Sequence, residues 1–139
     1  MLTIFIIPSY AENADVRKTI ASFAGIDGGF RVVPVLSCAE INSYNKKDDW
    51  FGVFWDNEYI DAGLKGALPV FFSFSDLEVL ILYKKEGEEE ATWRKRMFRK
   101  NIFLVDDCRP LCLWEKRETV LDGWVKEHDN TSKIRLLSV

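Results

Sequence analysis

Three stretches of this chain carry side chains of the type and spacing that do chemistry. The first is Asp56-Asn57-Glu58, which ends the apolar run Trp50–Trp55. If strand geometry persists through the cluster, side chains alternate, and Asp56 and Glu58 point the same way. They could then share one Mg²⁺ or Mn²⁺, hard cations that take carboxylate oxygens. The competing explanation is an acidic patch at a helix N-terminus, facing the macrodipole. The second stretch is Pro8-Ser9-Tyr10-Ala11-Glu12, directly after the first apolar run. Tyr10 offers a ring for stacking on a base and Glu12 a carboxylate for ribose or base contacts. An ordinary β-to-α loop accounts for the same residues. The third is Arg94–Lys100 with Asp106-Asp107. Its basic residues, Arg96 and Arg99 among them, could hold phosphates, and Asp106 or Asp107 could act as a base towards an acceptor hydroxyl. Solvated charge is the plainer explanation of any one of these groups.

The elements that must position these groups follow from the apolar pattern. Ile4–Ile7 is a β-branched and aromatic run stopped by Pro8, and Asn13 or Asp15 can cap a helix after the polar loop. Val16, Ile20 and Phe23 or Ala24 share a helical face that Gly25 ends. Arg31–Leu36 is an edge or irregular strand because it carries Pro34. A short helix near Ala39–Tyr44 precedes Trp50–Trp55, a run without alternation that suits a strand buried on both faces. Leu64, Leu68 and Phe71 or Phe72 describe a helix that Pro69 should kink or confine to Asp61–Leu68. Leu77–Tyr83 is the strongest strand. This β-α-β-(α)-β-α-β order predicts an α/β fold: a Rossmann-like, mostly parallel sheet with helices on both faces. Lys84–Glu90 reads as a solvated loop. Ile102–Val105 and Pro110–Trp114 are short strand candidates, and Val120, Leu121, Trp124 and Val125 suggest a helix over Glu118–His128, interrupted by Gly123. Lys133–Val139 is a basic-apolar tail with weak strand character. No repeat, linker or domain boundary is evident, so residues 1–139 read as one domain with a short C-terminal extension.

The bulk numbers narrow the classes. With 47% apolar residues the chain is globular, and a formal charge of −3 gives no drive towards nucleic acid or anionic membrane. The acidic run Glu86–Glu90 further opposes nucleic-acid binding at Arg94–Lys100. Apolar stretches are too short to span a membrane, and the N-terminus reads as a first strand without signal-peptide features. Cys38, Cys108 and Cys112 make an odd count without a disulfide pattern, suiting buried thiols and a cytoplasmic location. One histidine, His128, and no second cysteine pair argue against zinc. No nucleophile elbow, Walker loop or Gly-rich dinucleotide fingerprint appears.

Taken together and in order, the three stretches resemble family 2 glycosyltransferases. Ile-Ile-Pro-Ser-Tyr-Ala-Glu looks like that family's opening strand and Pro-x-Tyr loop. Asp56-Asn57-Glu58-Tyr59 is similar to its Asp-x-Asp-type element, and Arg96-Met97-Phe98-Arg99-Lys100 resembles its Arg-x-Phe-Arg-Arg/Lys segment. The matches span Met1–Asp107. The resemblance implies a GT-A-like fold that binds a nucleotide-sugar donor with Mn²⁺ or Mg²⁺ and passes the sugar to a hydroxyl acceptor. Pro8, Tyr10, Glu12 and Glu40 would hold the nucleoside, Arg96 and Arg99 the phosphates, and Asp56 and Glu58 the metal and diphosphate. Asp106 or Asp107 would be the catalytic base. Ser37-Cys38-Ala39-Glu40 departs from the family's Asp-x-x-Ser, keeping only Glu40 acidic, and Glu58 replaces an aspartate. The chain is also short for a GT-A enzyme. A reduced or partner-dependent transferase fits these departures, and so does a non-catalytic GT-A-like binding or interaction protein, for which the abundant Trp and Phe would supply a surface for a protein partner or a sugar.

Overall fold

Leu2–Ile7 forms β1, and all six residues are buried because both faces of the strand are covered. The computed structural model describes residues 1–85, 92–105, 108–111 and 118–127. After β1 the chain forms α1 (Val16–Ala21), β2 (Phe30–Pro34), α2 (Cys38–Ser43), β3 (Trp50–Trp55), β4 (Glu58–Ile60) and α3 (Ala62–Phe72). It continues as β5 (Val79–Lys85), β6 (Thr92–Arg99), β7 (Leu104–Val105), β8 (Arg109–Pro110) and β9 (Glu118–Glu127). Seven strands make one sheet in the order β2-β1-β3-β6-β5-β9-β4, and β7 pairs with β8 separately. The strands β1, β2, β3, β5 and β9 run one way, and β6 and β4 run against them. The fold is therefore mixed α/β with a predominantly parallel sheet.

Side-chain alternation along β1 and β3 divides the core in two. Leu2, Ile4, Ile6, Trp50 and Phe54 face one layer, with Phe23 beyond α1 and Leu64 and Leu68 of α3. Phe5, Ile7, Phe51 and Val53 face the other, with Ile41 of α2 and Ile102, Leu104 and Cys108 around β7–β8. Helices thus cover both faces. Gly52 in β3 leaves room for β6 against β1: a Cβ there would stand 2.7 Å from Met97 Sδ and 3.1 Å from Ile4 Cδ1.

Only Asp56 and Asn57 separate β3 from β4, yet four strand spacings lie between those strands in the sheet order. Four spacings amount to about 19 Å on a flat sheet. The three Cα steps from Trp55 to Glu58 reach at most about 11 Å. The sheet must therefore curl, bringing its β4 edge back towards the carboxyl end of β3.

Several elements differ from what the sequence implies. Glu118–Glu127 is a strand, not a helix: it pairs parallel to β5, and the register jumps from Leu82↔Leu121 to Tyr83↔Trp124. Asp122-Gly123 occupies that bulge, so the glycine that interrupts a helical pattern is an asset to a bulged strand. Pro69 neither ends nor confines α3, which runs on to Phe72. Its last turn is pinned by the Trp50 indole N–H donating to Phe72 O at 3.3 Å and by ring contact at 5.1 Å. Packing there outweighs the hydrogen bond that proline removes. The three-residue strand β4 has no sequence signal apart from its neighbours. Cys38 and Cys108 are joined in a disulfide rather than standing as free thiols, with Cα atoms 5.3 Å apart. Tertiary proximity across 70 residues decides that pairing. Glu86–Glu90, Cys112, His128 and the Lys133–Val139 tail lie outside the described residues. Among the described residues no helix is long and apolar enough to cross a membrane.

Candidate functional site

The chain leaves β1 for β2 on one side and then returns to lay β3 on the other. The helices of the two crossovers lie on opposite faces, α1 towards the Leu2–Ile4–Ile6 layer and α2 towards the Phe5–Ile7 layer. The gap between the carboxyl ends of β1 and β3 is therefore a topological switch point, where open α/β sheets bind ligands. Beside it, at the carboxyl ends of β1 and β2, lies a cavity of about 210 Å³ lined by Ile6, Pro8, Val16, Pro34, Val35, Leu36 and Glu40, with Asp56 reaching it from the end of β3. Larger recesses of about 350 Å³ and 490 Å³ lie at the amino end of β3 around Trp50 and beside α1 and α3. Neither sits beyond the carboxyl ends of parallel strands.

Asp56 fastens the rim of this cleft. Its Oδ1 accepts from the Ser9 backbone N–H at 2.9 Å and from the Ser9 hydroxyl at 2.6 Å. Its own N–H donates to Ile7 O, and its carbonyl accepts from the Asp15 N–H and from the buried Thr19 hydroxyl. One residue thereby ties the end of β3 to the loop after β1 and to the start of α1. Asp15 caps that helix by accepting from Arg17 N–H. The Arg17 side chain hydrogen-bonds the same carboxylate and holds it below its ordinary range. Asp56 Oδ2 has no hydrogen-bond partner among the described residues, so this carboxylate keeps one oxygen for a ligand.

Tyr10 stands at the rim with φ +59 and 88% of its surface exposed. A non-glycine residue in the left-handed region costs of order 1 kcal/mol, and such residues gather at ligand sites. The Ser9 hydroxyl, which accepts from Ala11 N–H at 3.2 Å, helps to set this turn. Glu12 is exposed on the same loop.

The sequence thus brings Pro8, Glu40 and Asp56 together, with Tyr10 and Glu12 on the adjoining loop. It fails for Glu58, Arg96 and Arg99. Glu58 does not share a position with Asp56, because the turn at Asp56-Asn57 breaks the two-residue alternation. Its carboxylate is fully buried and takes both Arg96 guanidinium ends, Nη1 to Oε1 at 2.6 Å and Nη2 to Oε2 at 2.8 Å. Oε1 also accepts from Trp55 N–H. Arg96 is 1% exposed, with Phe54 and Trp55 rings 5.5 Å and 5.3 Å from its guanidinium. It cannot reach a phosphate in the cleft. Arg99 lies at the opposite end of β3, stacked on Trp50 at 4.5 Å and donating to the Leu77 and Phe74 carbonyls. The five residue steps of β3 from Trp50 to Trp55 put it about 17 Å from the cleft. Asp106 and Asp107 lie outside the described residues. The residues that the sequence does not single out are Ser9, Thr19, Val16 and Leu36. Ser9 sits inside the Pro-Ser-Tyr motif and was the one within reach.

The chemistry of the cleft follows from its lining. Apolar walls with two carboxylates suit a flat ring that presents N–H donors, or sugar hydroxyls. Among the described residues no cationic side chain lines it, so a diphosphate held by these residues would need a cation of its own. The described residues contain no group of three metal-ligating side chains. Asp56, whose Oδ1 alone is engaged among the described residues, is nevertheless of the kind that holds a cation with one carboxylate and substrate phosphates, as Mg²⁺ commonly is held. Glu58 does not fit that role. No protein-family model matches the chain, and no curated protein matches it.

Proposed function

We propose that the chain is a GT-A-like protein that binds a nucleotide-sugar in the cleft at the carboxyl ends of β2 and β1, beside Asp56 at the end of β3. The observation that carries this reading is the meeting of Pro8, Glu40 and Asp56 around a cavity beside the topological switch point. The base or ribose enters between Pro8 and the Val35-Leu36 wall, with Glu40 and Asp56 accepting from its donors. Tyr10 covers the ring from the exposed loop. A divalent cation, when bound, neutralises charge on the diphosphate and is held by Asp56 and the phosphates themselves. Transfer to a hydroxyl acceptor, with Asp106 or Asp107 as base, completes the glycosyltransferase reading.

A second reading is favoured by one specific observation. The Glu58–Arg96 pair removes from the cleft both the second carboxylate and a cation that the transferase pattern uses. A non-catalytic protein that keeps the sheet and the cleft fits that loss, and exposed Tyr10, Phe74 and Phe103 offer it contact surface.

A thermal-shift titration with UDP, GDP and CDP, each with and without Mn²⁺, tests both. Ligand at 100 times its dissociation constant stabilises by about 2.7 kcal/mol. One nucleotide that stabilises only with metal, and no longer does so in Asp56→Asn, supports the nucleotide-sugar reading. Asparagine keeps an acceptor for Ser9, so the fold persists in that variant. A flat response to all three nucleotides overturns the reading. Sugar release from the matching UDP-, GDP- or CDP-sugar then separates transferase from binding protein.

A further inference from the structure

We propose that Cys38 and Cys108 form a thiol–disulfide switch that docks the β7–β8 segment on α2 when oxidised and frees it when reduced. Neither partner supports itself. The helix α2 has six residues, and its N-cap residue Ser37 makes no side-chain capping bond; helices so short are marginal without packing. The strands β7 and β8 have two residues each and, among the described residues, form a ladder with one another, and a two-stranded pair of that length is too little for independent stability.

Two clamps hold them together. The Asn42 side chain of α2 donates to Leu104 O at 2.7 Å and accepts from Leu104 N–H at 2.8 Å. One helical turn earlier, the disulfide joins the first residue of α2 to Cys108. Cys108 also carries a left-handed backbone, φ +55, without being glycine. A residue persists there only while its surroundings enforce it. Reduction removes that constraint, and the backbone at Cys108 relaxes towards ordinary conformations, leaving the Asn42 bonds and the apolar contacts of Ile102 and Leu104 with Ile41.

The exchange is accessible from one side. Cys38 is half-buried, whereas Cys108 is 4% exposed, so a thiolate of a dithiol reductant attacks Cys38 Sγ. The Sγ–Sγ bond breaks and Cys108 leaves as a thiolate that takes a proton. The reductant's second thiol then attacks the mixed disulfide and releases the Cys38 thiol. Two electrons and two protons pass to the protein, and the dithiol ends as a disulfide. A disulfide oxidant such as oxidised glutathione reverses the sequence. Where both agents act, a disulfide of this kind is regulatory rather than permanent.

The switch also bears on the cleft. Val35 and Leu36 precede Cys38 and Glu40 follows it, and all three line the cavity. Loosening α2 therefore moves one wall. That consequence rests on the nucleotide reading given above; the switch itself does not.

Hydrogen–deuterium exchange on the full chain, oxidised with glutathione disulfide or reduced with dithiothreitol, tests the proposal. Peptides covering α2 and β7–β8 lose at least tenfold more protection on reduction than β1 and β3, which fall together only by the loop-closure contribution to global stability. Cys38→Ser reproduces the reduced pattern under oxidising conditions, and Cys112→Ser remains switchable. Unchanged protection overturns the switch. So does a uniform loss across all peptides, which marks a purely structural bond, or failure of the oxidant to remove two of the three free thiols. Titrating UDP, GDP and CDP with Mn²⁺ in both states reads the coupling, expected as a several-fold weaker affinity on reduction. Local loosening with no nucleotide bound in either state refutes the nucleotide reading and leaves the switch standing.

Discussion

Glu58→Gln separates two roles for one carboxylate. A metal ligand at an open site is a cluster of repulsion, and neutralising it leaves stability unchanged or raises it. A buried partner of Arg96 behaves in the opposite way. With Glu58 fully buried and Arg96 at 1% exposure, the variant strands a guanidinium in the core. Breaking such a pair costs about 3–5 kcal/mol. For a chain of this length that is a fall of about 10–17 °C in midpoint temperature. Arg96→Met should cost a similar amount, since it strands the carboxylate. The double variant Glu58→Leu/Arg96→Met removes both charges and should lie within about 2 kcal/mol of the parent, because apolar replacement of a buried pair is often neutral. The Arg96 Nε, which has no hydrogen-bond partner among the described residues, reduces what the parent gains from keeping the pair. Urea unfolding followed by tryptophan fluorescence gives the three midpoints, with equal slopes as the control for two-state behaviour. A Glu58→Gln midpoint equal to the parent's would falsify the pairing and return Glu58 to the cleft.

Gly52→Val should destabilise by about 1–3 kcal/mol through overpacking, because its Cβ meets Met97 Sδ at 2.7 Å; Met97→Ala in the same chain should recover part of that loss in the urea midpoint. Oxidised parent and Cys38→Ser should differ by about 4 kcal/mol from loop closure alone, given the 70-residue separation; equal stability would mean that the bond does not form in solution. Arg17 hydrogen-bonding to Asp15 lowers its folded-state pKa below the usual 3.8. The contribution is therefore complete above that value and is lost as pH falls through the lower folded value. Asp15→Asn should show a shallower fall in midpoint temperature below pH 4, and an unchanged acid limb would remove the effect. Tyr10→Ala should leave stability unchanged or slightly raised, since it relieves a bulky side chain at φ +59, while weakening nucleotide affinity; unaltered binding would take Tyr10 out of the site.

What the sequence determined by itself is local. Leu2–Ile7 and Trp50–Trp55 carry apolar residues on both faces, which only a central strand with two covers satisfies, and both are central. Pro34 placed β2 at an edge, and the loop after β1 together with the end of β3 marked the cleft through the general rule for parallel sheets. What the tertiary structure alone decided depends on partners far away in the chain. Glu58 turns into the core because Arg96, 38 residues on, meets it across the curled sheet, and no periodicity encodes that meeting. Val120, Leu121, Trp124 and Val125 fit a helical face in isolation, but β5 offered a parallel edge whose unpaired groups required a strand. Cys38 meets Cys108 where the Asn42 bonds and the shared core hold β7 against α2. A residue's type and spacing fix the local conformations it allows, whereas its partner is fixed by which distant surface the folded chain delivers to it.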